Sequence, residues 1–358
     1  MIRRRSSRTV PLLALALMVA GPTVEADTTA TTTTTAATTI VRVAGLINEG
    51  SPGEVLWRRF RANLEAAGID GLDVRMLIRG EVGSEEGQLS AIRRGRVQVA
   101  GISAGGLAAA VPEYAVLTAP FLFDTVAEAD FVHDRFLQDA FRDLAARRGL
   151  VHLAWIDIGW INVYGRKPVL APDDMRGYRM RAQQSRSSQL FLTMLGADVI
   201  QLTFPDVVPA LQTGLVSGGE ASTLMYAETG VADAAGHYTL THHAYNVAAV
   251  VVDKVWFDRQ SPALRQALAA AAPPPAYSRR LMRTLLADKL AAAQARGVQV
   301  HVLDAAQRDR WKAAARPVTD RLIAAIGGRA PELMALIQSG KRAYRHAERS
   351  GRRIATQP

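Results

Sequence analysis

Cysteine is absent from the 358-residue sequence. No disulfide can form, so a stable exported fold has to come from a large apolar core. The same absence excludes a bacterial lipoprotein, whose lipid is carried on an N-terminal thiol. Long apolar runs are scarce. Beyond the first 26 residues there is no unbroken stretch of about 20 apolar residues, so no membrane-spanning helix is expected. Enzyme signatures are missing too: the sequence has no Gly-x-Ser-x-Gly elbow, no Gly-Lys-Ser/Thr phosphate loop and no His-Glu-x-x-His. Gly101, Gly105 and Gly106 follow a strand without the dinucleotide spacing. His237, His242 and His243 cluster with Asp233, but three histidines around a strand entrance are more often surface residues. The reading is a protein that is not an enzyme, with no cofactor and no metal.

The N-terminus carries Arg3, Arg4, Arg5 and Arg8, then an apolar run from Val10 to Ala20, then Pro22. Val24-Glu25-Ala26 offers a small-x-small cleavage site, so residues 1–26 read as a signal peptide and the mature chain as periplasmic. Residues 27–39 are almost all Thr and Ala and read as a disordered spacer. The formal charge is +10, and about +7 remains once residues 1–26 are removed. Much of it sits in Lys341, Arg342, Arg345, Arg349, Arg352 and Arg353. That stretch has only Tyr344 as an aromatic, which argues against nucleic acid and for a solvated last helix ending in a basic tail, 346–358.

Between these ends strands and helices alternate. Ile40 to Val43 alternates like a strand. Ser51, Pro52 and Glu54 form a helix start, with Trp57, Phe60, Leu64 and Ala67 on one face and Gly68 as the stop. A strand is predicted over Leu72–Arg79, a helix over Glu85–Arg94 and a strand over Val97–Ala100. A helix over Ala127–Arg147 precedes two strands, Leu150–Ile158 and Ile161–Gly165. Tyr178–Ala182 and Val199–Leu202 read as strands around a helix at Ser185–Leu195. Asp206 caps a helix that Gly214 ends. Val247–Val252 is apolar throughout, as in a strand buried on both faces, and Val298–Leu303 is the last strand. This is an α/β pattern with mainly parallel sheets.

One block is specific. Met175-Arg176-Gly177-Tyr178-Arg179-Met180-Arg181 is followed by Leu195-Gly196-Ala197-Asp198, Phe204-Pro205-Asp206 and Ala210-Leu211-Gln212-Thr213-Gly214. It resembles the DctP-type substrate-binding subunits of TRAP (tripartite ATP-independent periplasmic) transporters. Pro112-Glu113, Ala119 to Phe123, Pro168 to Asp174 and Gly297-Val298 extend the likeness over most of residues 40–340. The resemblance implies a two-lobe type II periplasmic-binding-protein-like fold with a ligand cleft between the lobes. Lobe 1 would hold 40–160 plus about 247–275, and lobe 2 would hold 161–246 plus about 276–345. It also implies a monomer that captures a small carboxylate and passes it to TRAP membrane permease subunits. A ligand sensor that presents its bound state to a receptor would read the same way.

By motif, Arg181 is the residue that would grip the ligand carboxylate, and its planar fork suits that partner. A structural Asp or Glu is the competing partner. Strand alternation places Arg179 on the same face, so the choice between the two rests on the motif. Phe204 matches a ligand-packing aromatic and equally a core Phe. Ser103, Asn48 and Glu49 end strands, where α/β proteins gather ligands, or they simply cap loops. Two departures stand out. Gly159-Trp160-Ile161-Asn162 occupies the place of a second arginine, so Trp160 or Asn162 would line the cleft instead. Ser217-Gly218-Gly219-Glu220-Ala221 keeps the acid Glu220 but lacks the family's flanking acid and amide. A less polar monocarboxylate is therefore expected rather than a dicarboxylate.

Overall fold

The computed structural model describes residues 38–350. The expected signal peptide, 1–26, and most of the expected spacer, 27–39, lie outside the described residues, as does the expected tail beyond Ser350. The spacer's last residue, Thr39, already belongs to a strand.

The strands are β1 (Thr39–Ala44), β2 (Leu72–Leu77), β3 (Val99–Ser103), β4 (Leu150–Gly165), β5 (Arg179–Ala182), β6 (Asp198–Gln201), β7 (Gly218–Ser222), β8 (His237–Asp253) and β9 (Gln299–Val302). The helices up to β6 are α1 (Pro52–Glu65), α2 (Glu85–Arg93), α3 (Ala104–Leu107), α4 (Val126–Val132), α5 (Gln138–Arg147) and α6 (Arg186–Met194). Those after β6 are α7 (Val207–Thr213), α8 (Thr223–Glu228), α9 (Val231–Ala234), α10 (Lys254–Asp258), α11 (Pro262–Ala271), α12 (Pro275–Ala295), α13 (Ala305–Ile326) and α14 (Ala330–Arg349).

Local chemistry explains the boundaries. Ser51 Oγ accepts from Glu54 N at the start of α1. The Glu54 carboxylate reaches back to Gly50 N at 2.7 Å, one residue before the cap. Gly214 closes α7 with φ 77°. The helix expected over Ala127–Arg147 is broken by a π turn at His133–Leu137.

The strands form one mixed nine-stranded sheet in the order β2-β1-β3-β8-β4-β7-β5-β6, with β9 added beside β8. The expectation of mainly parallel sheets needs correction at its centre. The two strands predicted between Leu150 and Gly165 are one strand of 16 residues, and the apolar run Val247–Val252 is the end of a strand of 17. These long strands pair antiparallel, with irregularities near Ala154, Gly159 and Val163. Hydrophobic alternation reports burial rather than strand continuity, and Gly159, at φ 89°, reads in sequence as a break. On one side β8 pairs with β3; on the other β4 pairs with β7. Each side keeps parallel strands beyond that, β3-β1-β2 and β7-β5-β6.

Val41, Val43, Val99, Val250 and Val252 are inaccessible and pack with Trp57 and Phe60 of α1. Each such side chain contributes about 1.5–3 kcal/mol relative to exposure. On the far side Met180, Phe191 and Trp311 form one cluster, and Tyr164, Tyr226 and Tyr238 belong to another. The C-terminal helix differs from expectation. Leu333, Ile337 and Tyr344 of α14 join the core of Tyr114, Phe141 and Trp155, which belongs to the first half of the chain rather than the second. Its apolar face fits that core, and residues 346–349 continue it as helix instead of a tail.

Candidate ligand cleft

A cavity of about 240 Å³ opens where β1, β3, β5 and β7 end. Asn48, Ser103, Gln183 and Ser222, each just at or beyond a strand's carboxyl end, line it. Leu56 and Trp57 of α1, Phe204 and Pro205, and Met225 of α8 add apolar walls. Gly101 makes room for one of these: a Cβ there would lie 2.5 Å from Trp57 Cζ2.

Arg181 is the charged anchor of the β5 wall. It is 6% exposed. Nε donates to Leu202 O and Nη1 to Glu220 O, both at 3.3 Å. Among the described residues no carboxylate lies within ion-pair distance of it. Burial therefore pulls its pKa below the ordinary arginine value, despite the opposing influence of Tyr164 and Glu220. The structural ion pair that competed with a ligand role is not formed. Arg179, by contrast, is exposed and meets Asp198 at 3.3 Å. The inner end of β5 is covered by its neighbours while its outer end faces solvent, so two residues of one strand face meet different surroundings.

Glu220 lies behind the cleft. Its carboxylate meets His243 Nε2 at 2.8 Å in a chamber of about 20 Å³. Phe191 stacks flat on His243 at 4.4 Å, and Thr241 Oγ1 meets His243 Nδ1 at 2.8 Å. Burial works against ionisation of Glu220, but His243, a Ser188 hydrogen bond and Arg181 outweigh it and lower its pKa. It touches Arg181 through its carbonyl, so in this structure Glu220 positions the arginine.

The other candidate residues divide. Arg181, Phe204, Ser103 and Asn48 share the cavity. Ser103 does two jobs: its Oγ caps α3 at Gly106 N and donates to Glu85 Oε2 at 2.7 Å. Three candidates lie elsewhere. Glu49 is exposed and pairs with Arg79 at 3.3 Å. Trp160 faces away, stacked on His242 at 5.3 Å and edge-on to Tyr245 at 4.9 Å. Asn162 is fully buried, held by Tyr238 Oη at 3.0 Å and His242 N at 2.8 Å. Strand alternation sends Trp160 and Asn162 to the face opposite Ile161, which does line the cleft. The histidines diverge as well: His237 meets His301, and His242 and His243 point to different partners.

Sequence reasoning missed Glu85, Asn246 and Glu228, all lining the cavity. A signal existed for two. Glu85 opens a helix just after a strand, and Asn246 is a lone amide in the apolar run Ala244 to Val252. Glu85 accepts from Ser103 N and Oγ, each at 2.7 Å, and burial raises its pKa. Nothing local marks Glu228.

This geometry can hold a small anion between two halves of a sheet. The family model for bacterial extracellular solute-binding protein, family 7 (DctP) matches residues 50–325. The chain belongs to this family. A C4-dicarboxylate-binding periplasmic protein of Rhodobacter capsulatus is 26% identical over 262 residues, 72% of this chain and 78% of that protein. The 2,3-diketo-L-gulonate-binding periplasmic protein of Escherichia coli is 28% identical over 202 residues, 56% of this chain and 62% of that protein. Among solved structures, a TRAP periplasmic solute-binding protein from Roseobacter denitrificans with bound β-D-glucuronate superposes with a TM-score of 0.79. It is 27% identical and covers 84% of this chain and 99% of that one. The family 7 solute-binding protein described here thus has the family's mixed α/β two-lobe fold. No helix among its described residues is long and apolar enough to cross a membrane.

Proposed function

We propose that this family 7 protein captures a small organic acid carrying one carboxylate in the periplasm and delivers it to a TRAP-type permease. Arg181 is the anchor of this reading. A buried guanidinium held by two carbonyls, with no carboxylate at ion-pair distance among the described residues, is under-compensated, and a ligand carboxylate would supply a partner with bidentate geometry. The rest of the wall supports a single carboxylate. Glu85, Glu86, Asp157 and Glu228 line the cavity against one lining arginine. A second ligand carboxylate would find no second cation in the lining to offset its desolvation.

Capture is closure of the halves around β4 and β8, the strands common to both, with the bound state favoured by contacts to both walls. No bond is made or broken. Monocarboxylates should raise the melting temperature, by about 2.7 kcal/mol of added stability at 100 times the dissociation constant. A panel in which only dicarboxylates raise it would refute the single-carboxylate reading.

A further inference from the structure

A second cavity, of about 170 Å³, lies against β4 and β8, and of the residues that line the Arg181 cleft only Asp157 also lines it. Its walls come from both halves. Val126 of α4 and Trp160 of β4 pack against the first-half core, while Leu240 of β8 and Leu290 of α12 pack against a second-half cluster. His242 completes the wall. Ile161 pairs with Ala244 and Val163 with Thr239, so residues 240–243 of β8 stand opposite Asn162 alone. Such a bulge re-aims side chains. His242 sits in it at φ 47°, in the left-handed region, and its backbone N–H donates to Asn162 Oδ1 at 2.8 Å. A non-glycine residue stays there only where its surroundings over-determine it, and such residues gather at ligand clamps. The bulge sets the His242 ring on Trp160, with centroids 5.3 Å and planes 27° apart. Among the described residues no hydrogen bond from the protein reaches that ring.

We propose that this cavity binds a neutral aromatic molecule of one ring or two small fused rings, of the phenol or indole class. The site goes beyond carboxylate capture and does not depend on Arg181. Volume sets the size: an apolar cavity of roughly 150 Å³ holds benzene, so this one takes a substituted ring or a small fused pair. The walls set the shape. They are aliphatic apart from the aromatic pair, against which a flat ring gains offset or edge contacts that a saturated ring does not. Charge argues against an ion. Arg283 lines the cavity, but Asp130 at 2.7 Å and Asp157 at 3.1 Å already meet its charge, unlike that of Arg181. Burial, with Arg308 and His243 nearby, holds the pKa of His242 at about 4, so the ring is uncharged at neutral pH. A neutral imidazole offers one N–H and one acceptor nitrogen, which a phenol hydroxyl or an indole N–H can engage.

The test is calorimetric titration of the purified protein with phenol, indole, cyclohexanol and benzoate, repeated on Arg181→Ala so that benzoate does not report the cleft. Phenol and indole should bind with dissociation constants on the order of 0.1–1 mM, within reach of ligands this small. Both should bind Arg181→Ala equally well. Cyclohexanol should bind about 3- to 10-fold more weakly than phenol. Benzoate should bind Arg181→Ala at least roughly 10-fold more weakly than phenol, because no unmatched cation in the wall offsets its desolvation. Two variants locate the site. Ala287 is exposed on α12 and lines the cavity, so Ala287→Trp fills it from the solvent side. His242→Gly removes the ring, and glycine is at ease at positive φ, so the bulge is kept. Each should weaken indole by roughly 10-fold or more. Melting curves without ligand identify a variant that fails to fold, and the other then carries the test. The proposal is overturned if neither phenol nor indole binds, or if Arg181→Ala loses them. It is overturned equally if cyclohexanol matches phenol, or if benzoate matches phenol on Arg181→Ala. So it is if a folded Ala287→Trp or His242→Gly protein binds indole as the wild type does.

Discussion

Arg181 and Arg279 are both buried, and Arg283 beside Arg279 is part-buried, yet their surroundings are opposite. Arg279 donates to both oxygens of Asp134 at 2.7 Å and reaches Asp130 at 2.9 Å. Arg283 donates to Asp130 at 2.7 and 2.8 Å and to Asp157 at 3.1 Å, and Tyr245 Oη donates to Asp157 at 2.5 Å. Burial works against both cations, yet Asp134 and Asp130 outweigh it for Arg279, as do Asp130, Tyr245 and Asp157 for Arg283, so both pKa values rise. At Arg181 nothing comparable opposes burial, and the pKa falls. Burial alone does not decide how far an arginine's charge is compensated. What separates the two cases is whether the fold itself supplies the counter-ion.

Breaking the saturated network should have the largest effect. Asp130→Ala strips a carboxylate from two arginines at once and should cost about 3–5 kcal/mol of stability, read as a lower denaturation midpoint. Arg181→Ala should do the reverse. Ligand affinity should fall by roughly 2–5 kcal/mol in calorimetry, while the ligand-free melting temperature stays level or rises. If Arg181→Ala destabilised the free protein as much as Asp130→Ala does, the contrast would collapse.

Acid should act next, and on the side of the saturated network. Burial holds His133, beside Arg279, at about 4 and His152 at about 3. Both are neutral when folded, and in the unfolded chain they take up protons near pH 6.5. Between about pH 6.5 and 4 the unfolded state therefore binds more protons, so stability falls as pH is lowered, by up to about 1.4 kcal/mol per pH unit for each histidine. Urea midpoints across that window check this, and His152→Gln should flatten the slope. The smallest effect belongs to Arg179→Ala. An exposed pair with Asp198 should change stability by less than about 0.5 kcal/mol and leave binding untouched.

The particular elements show why some of the molecule was legible and some was not. The cap at Ser51, the stop at Gly214 and the strand Arg179–Ala182 follow from neighbours within a few residues, and they stand where the sequence puts them. The motif block singled out Arg181, and the structure places it in the cavity wall. Glu85 left a weak trace, as a carboxylate opening a helix after a strand, and Asn246 left another, as an amide in an apolar run. Glu228 left none. Its partner Lys289 arrives on α12, far along the chain. Trp160 and Asn162 went astray because a face of β4 can be assigned only once the irregularities along it are known.

Taken alone, the sequence determined the alternation of strands and helices, the helix ends and the family. These depend on local backbone preferences and on the period of apolar residues. Tertiary structure decided that β4 and β8 run unbroken through both halves, that α14 packs on the first-half core, and which buried arginine keeps a free charge. Each of these depends on partners far apart in the chain: Asp130 and Arg283 are 153 residues apart. No local pattern encodes which distant carboxylate will arrive beside a guanidinium, or that none will.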